Sequence, residues 1–201
     1  LIITALGVAF FAGLRLTGPY MQMAGDDYLQ QQNYADIKLL STLGFDEDDV
    51  ATIRQADGVE QLSASYSTNV LLERGDARYN IHLISIDEGS DALNAPLLLE
   101  GHLPRSSGEC LVEPDFLKAT GLELGDEVTF RSGNDKDISE SLRNVSFTIT
   151  GSALSPLYVG ENRGTNDIGN GHIDAFFLIP AEDFNLDVYT EIYLTTQYGD
   201  E

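Results

Sequence analysis

The residues with chemical potential in this sequence are few and scattered. Its three histidines are His82, His102 and His172, and each is followed by an apolar residue. A zinc-protease site needs His-Glu-x-x-His, which sets two imidazoles on one helix face with a general base between them, and that spacing is absent. A lone histidine in a strand, as His82 is expected to be, reads as packed or solvent-facing. The single cysteine, Cys110, excludes an intrachain disulfide. It sits in the apolar run Glu109-Cys-Leu-Val112 and reads as a buried small hydrophobe rather than a nucleophile. No Gly-x-Ser-x-Gly elbow is present. A P-loop requires Gly-Lys-Ser/Thr, and no lysine here follows a glycine. Gly169-Asn-Gly171 begins a dinucleotide fingerprint, but Asp174 stands where the third glycine belongs, in a loop entering a strand. The acidic run Asp46-Glu-Asp-Asp49 has the oxygens for a calcium ion, yet the same residues describe the start of a helix. Asn144-Val-Ser146 is a glycosylation sequon inside an expected strand. No catalytic, cofactor-binding or metal-binding residue is assigned on this basis, and the chain reads as non-catalytic with no cofactor.

Composition narrows the partners. Eleven Lys+Arg against 33 Asp+Glu leave a net charge of −22 over 201 residues. Phosphate backbones demand a basic face, so nucleic acid is not an expected partner, and anionic lipid surfaces are disfavoured for the same reason. The plain reading of the charge is solubility; the sharper one is attraction of cations or cationic peptides. Lysine is confined to Lys38, Lys118 and Lys136. The hydrophobic fraction of 42% is too high for a disordered acidic chain and supports a packed core.

The chain opens on Leu1–Leu14 without a charge. Fourteen residues fall short of the roughly 20 that span a bilayer. We read residues 1–16 as the outer end of a truncated transmembrane helix, which Gly18-Pro19 is expected to break. Residues 17–34 follow as a polar, helical stalk. Ala35–Ser41 reads as a strand. Asp46 then caps a helix, with Asp49 three residues on and Phe45 and Val50 spaced as a staple, and Asp57-Gly58 closes it. Glu60–Arg74 reads as one long strand, Gly75-Asp76 as a turn, and Ala77–Asp87 as its hairpin partner. Residues 35–92 thus form a β-α-β-β unit. Residues 93–185 have a different texture: short strands at 109–112, 127–131, 143–152 and 173–179, a helix at Pro114–Thr120, and polar loops at 132–141 and 156–171. Tyr189–Thr196 alternates again and is expected to return to the first unit, within a last segment 186–201. The fold class is α+β, a β-α-β-β unit with a β-rich insertion. Loop Leu157–Gly171 is the one stretch singled out for partner contact, against its plain reading as the tip of the insertion.

Several phrases, taken in order, resemble the extracytoplasmic (periplasmic core) domain of FtsX/MacB-type ABC transporter permeases. They are Gly44-Phe-Asp-Glu-Asp-Asp-Val50, Leu99-Glu-Gly-His-Leu-Pro-Arg-Ser-Ser-Gly-Glu-Cys-Leu-Val112, Thr120-Gly-Leu-Glu-Leu-Gly-Asp-Glu-Val128, and Ser155-Pro-Leu-Tyr-Val-Gly160 followed by Ile168-Gly-Asn-Gly-His. The resemblance implies a MacB-like core: a porter-like α/β part carrying a β-rich inserted subdomain, on the extracytoplasmic side of the cell membrane. It implies a permease subunit that is itself non-catalytic, with further membrane helices beyond residue 201. It further implies an ABC ATPase subunit reached through the membrane helices, and a second permease copy or paralogue. The cargo it implies is a lipid, lipoprotein or peptide, or else the subunit regulates a cell-envelope partner. A single-anchor surface binding or receptor domain is the competing reading.

Overall fold

A computed structural model describes residues 2–86, 92–160, 163–166, 168–169 and 171–197, with the backbone alone at 2–14, 16 and 19. The chain opens on α1 (Ile2–Gln31), one helix of 30 residues. It does not break at Gly18-Pro19. Gly18 has no Cβ for the proline ring to strike and open space around it, and the Leu, Met and Gln residues nearby favour helix. Among the described residues no helix is long and apolar enough to cross a membrane. The side chains of the apolar stretch 2–14 lie outside that set.

α1 ends where Asn33 takes a left-handed conformation (φ 50°). Tyr34 N–H then reaches back to Leu29 C=O at 3.0 Å, and Asn33 N–H to Gln30 C=O at 3.1 Å. This double closure satisfies the last carbonyls. The end is also docked: Asn94 N–H donates to Asn33 C=O (3.0 Å) and Ala95 N–H to Gln32 C=O (2.9 Å), while Asn33 Nδ2 donates to Gln61 Oε1 at 2.9 Å.

β1 (Ile37–Phe45) leads into α2 (Glu47–Arg54), whose start is the capping box read from the sequence: Asp46 accepts from Asp49 N–H, and Asp49 from Asp46 N–H. β2 (Val59–Ser65) and β3 (Ser67–Arg74) replace the single strand expected over 60–74. They belong to different sheets, and the chain crosses between them at Tyr66. Side-chain hydroxyls accept from the backbone N–H groups there, while Tyr66 C=O still accepts from Ser85 N–H at 2.9 Å. Tyr66 N–H donates to Ser85 Oγ (3.0 Å) and Ser67 N–H to Thr190 Oγ1 (2.6 Å). The Tyr66 ring stacks between Phe184 and Tyr189.

β3 turns through Gly75-Asp76 into β4 (Ala77–Ile86) as expected. Next come β5 (Leu97–Gly101), β6 (Glu109–Val112), α3 (Pro114–Thr120), β7 (Glu127–Ser132), β8 (Ser146–Leu154), β9 (Ala175–Pro180) and β10 (Tyr189–Thr196). The helix α3 has proline in its first turn and ends on left-handed Gly121 (φ 67°). A 3₁₀ turn at Ile138–Glu140 interrupts the polar loop after β7, another forms at Pro156–Tyr158, and a third follows β9 at Ala181–Asp183.

The small sheet has the order β1-β10-β2, all antiparallel. β10 returns between the first two strands. The large sheet runs β5-β8-β6-β9-β4-β3-β7, and β7 pairs with β8 as well. Six strands, β8-β6-β9-β4-β3-β7, therefore close on one another, which removes their free edges. Closure places alternate residues inside. Val70, Ile81, Leu83, Val112, Phe130, Phe147, Phe177 and Ile179 share one buried core, while Ile84, Phe176 and Leu178 form a second cluster on the outside of the same strands. Because β3 and β4 are staves of this barrel, the change of sheet falls at Tyr66 and not near residue 93.

Candidate ligand groove

The two faces of the small sheet differ. Register sets Ile37 opposite Leu194 and Leu39 opposite Ile192, with Leu62 and Ala64 beyond. Ile192 and Leu194 are buried, and α2 packs against β1 and β2. The other face carries Lys38 opposite Tyr193 and Leu40 opposite Glu191, then Ser63 and Ser65. Between this polar face and the outside of the barrel lies a groove of about 570 Å³. Lys38, Leu40, Glu191 and Tyr193 form one wall, His82 comes from β4, and Leu157, Tyr158 and Arg163 come from the chain after β8.

Glu191 is the electrostatic centre. Its side chain is 6% exposed and holds the Lys38 ammonium at 2.9 Å. The Tyr193 hydroxyl donates to its other oxygen. Burial alone would raise the Glu191 pKa, but Lys38 and the Tyr193 hydrogen bond outweigh it and hold the carboxyl below its ordinary range. Burial, with Glu191 beside it, pushes the Tyr193 phenol up. The Lys38 ammonium also lies 5.3 Å from the Tyr193 ring centroid, a cation–π distance.

His82 is buried and its Nδ1 sits 2.7 Å from Asn69 Oδ1, on the residue directly opposite across the hairpin. An amide oxygen only accepts, so Nδ1 carries the proton and Nε2 keeps a lone pair. Burial lowers the ring pKa to about 4; Glu191 opposes the shift and Lys38 assists it. The imidazole is therefore neutral at pH 7. Its ring meets Tyr158 edge-on, and Tyr158 stacks flat on Phe176 at 4.9 Å.

The wall after β8 is pinned at two points. Arg163 grips Glu113 with both arms of its guanidinium, Nε donating to Oε2 at 2.7 Å and Nη2 to Oε1; the two side chains are 18% and 7% exposed. Asn80 and Asn166 exchange amide hydrogen bonds at 2.7 and 2.9 Å. Loop 157–171, the stretch singled out for partner contact, thus lines the groove through Leu157, Tyr158 and Arg163–Thr165; residues 161, 162, 167 and 170 of it lie outside the described residues.

The remaining polar residues have local roles. Cys110 lies in the barrel core, where burial and Asp183 push its thiol up. Asp183, fully buried, accepts from Ser107 Oγ (2.6 Å), Gly108 N–H (3.1 Å) and Asn144 Nδ2 (2.6 Å). His102 faces its neighbour's carbonyl, Nδ1 lying 2.8 Å from Leu103 O. Among the described residues no three His, Cys, Asp or Glu side chains are placed to hold a metal ion. The groove brings together one committed carboxylate, one neutral imidazole and aromatic walls. Sequence reasoning did not single out Lys38, His82, Glu191 and Tyr193 as a set. The available signal was Glu191 itself, an acid inside the alternating strand Tyr189–Thr196.

No known family's sequence profile matches the chain, and no curated protein matches it by sequence. Solved structures do match its fold. The extracellular domain of the noncanonic ABC-type transporter YknZ from Gram-positive bacteria aligns over 80% of this chain and 77% of that one, with a TM-score of 0.51 at 13% identity. The periplasmic region of MacB from Actinobacillus actinomycetemcomitans aligns over 80% and 67%, with a TM-score of 0.43 at 12% identity. The chain thus has the fold of an ABC-type transporter's extracellular domain, the α+β fold that the resemblance implied.

Proposed function

We propose that this chain is the extracytoplasmic domain of an ABC transporter permease subunit. The observation that supports the reading is the fold shared with the YknZ extracellular domain over 80% of the chain. The domain is not itself catalytic; a separate cytoplasmic ABC ATPase subunit hydrolyses ATP. Residues 1–16 end the first membrane helix, and the domain stands outside the cell membrane. A second permease copy or a paralogue completes the complex. The docked end of α1 suits such coupling, because a shift of the helix pulls directly on Asn94 and on Gln61 of β2. The work done is export or extraction of a lipid, lipoprotein or peptide, or regulation of a cell-envelope partner.

The test is to express the whole gene with an affinity tag in its native host, count its hydrophobic spans and identify what co-purifies. Four spans in all, with an ABC ATPase in the complex, is the expected result. A single span with no ATPase would overturn the reading in favour of a single-anchor surface binding or receptor domain.

A further inference from the structure

The groove already holds a cation. The Lys38 ammonium rests against a buried carboxylate, and the Tyr193 ring faces it at 5.3 Å. Charge, acceptor and π-face are the components of an ammonium receptor. Lys38 is a loose tenant of it. Its side chain is 41% exposed, on the edge strand of the small sheet, and a flexible four-carbon stem lets its strongly hydrated head reach water once another cation takes its place. Glu191 has no such freedom: its side chain is 6% exposed, and loss of its partner leaves a buried charge uncompensated. Whatever displaces Lys38 must therefore bring a cation of its own.

We propose that Glu191 and Tyr193 form a binding site for the ammonium group of a lysine side chain in a peptide ligand, which takes the place of Lys38. Three further observations support it. The groove, about 570 Å³, is of ligand-pocket size. His82, more than nine-tenths buried, lines it; with Nδ1 committed to Asn69, Nε2 is the ring's acceptor, which suits a backbone N–H of the peptide. The net charge of −22 steers cations toward the domain. The site also discriminates among cations. Tyr193 occupies one Glu191 oxygen, leaving a single acceptor that suits a point-like ammonium better than the two-armed guanidinium of arginine. This inference stands on the groove alone and is independent of any ATPase partner.

The experiment titrates Nα-acetyl-lysine methylamide into the full chain held in nonionic detergent, by calorimetry. Lys38→Met removes the tethered competitor, so the probe should bind it about tenfold tighter than wild type or better. The arginine analogue should bind more weakly and the norleucine analogue not at all. Lys38→Met combined with Glu191→Gln should lose the gain. Equal affinity of wild type and Lys38→Met, or equal binding of the norleucine analogue, overturns the proposal. A wild-type measurement guards against failure of Lys38→Met to fold. With ¹³C-lysine labelling only three lysines report, and the Tyr193 ring shifts the ε-methylene signal of Lys38. Probe at about 100 mM, above the millimolar effective concentration of a short tether, should move that signal to the positions of Lys118 and Lys136. A signal that stays in place overturns the proposal.

Discussion

The two faces of β4 divide the molecule's chemistry. Ile81 and Leu83 point into the closed barrel and are fully buried among other apolar side chains. His82, between them, points the other way, into a groove where its neighbours are a carboxylate, an ammonium and tyrosine rings. The barrel face is held by area removed from water, which is non-directional and tolerates few holes. The groove face is held by paired charges and hydrogen bonds, which cost stability when one partner is lost and leave room when both are present. Strength and recognition thus occupy opposite sides of one strand.

The largest expected effect is on the barrel side. Phe177 is fully buried and meets Phe116 and Phe130 at 5.6 and 5.4 Å. Phe177→Ala should cost about 4 kcal/mol of stability in urea unfolding, with the groove's contacts untouched in whatever fraction stays folded. Next is the pin behind the groove. Arg163→Met leaves Glu113 buried and alone, at about 3 kcal/mol, whereas Arg163→Met with Glu113→Leu should recover nearly all of it. If the single and double variants lose equally, the pair's charge is not what holds that wall.

A pH series sharpens the contrast further. His82 has a folded pKa of about 4 against an ordinary 6.5, so the unfolded chain takes up its proton first. Its contribution is whole above about pH 6.5, falls as the pH drops toward 4, and is flat below. At 1.36 kcal/mol per pKa unit, the loss amounts to about 3 kcal/mol. His82→Gln should remove that part of the slope in urea midpoints measured from pH 7 to 4. The smallest effect lies away from both regions: Asp46→Ala removes the cap of α2 and should cost about 1 kcal/mol. A loss as large as that of Arg163→Met would mean that α2 anchors more than its own sheet.

What the sequence settled by itself is local. Asp46 and Asp49 cap a helix because their carboxylates reach backbone N–H groups three residues away. Pro114 and Gly121 bound α3 through fixed backbone preferences, Gly75-Asp76 turns the hairpin, and Tyr189–Thr196 forms the expected strand. Each of these depends on neighbours within a few residues, so a linear reading finds it. The tertiary structure decided what depends on distant partners. The strand expected over 60–74 splits at Tyr66 because Ser85 and Thr190 supply the hydrogen bonds that a straight ladder would have made. β3 and β4 become barrel staves because β7 and β9 find their edges. The ammonium site exists because Lys38 and Glu191, 153 residues apart in sequence, lie on adjacent strands with the same face outward. Periodicity shows that Glu191 shares a face with Tyr193; only the pairing of β1 with β10 brings a lysine to it.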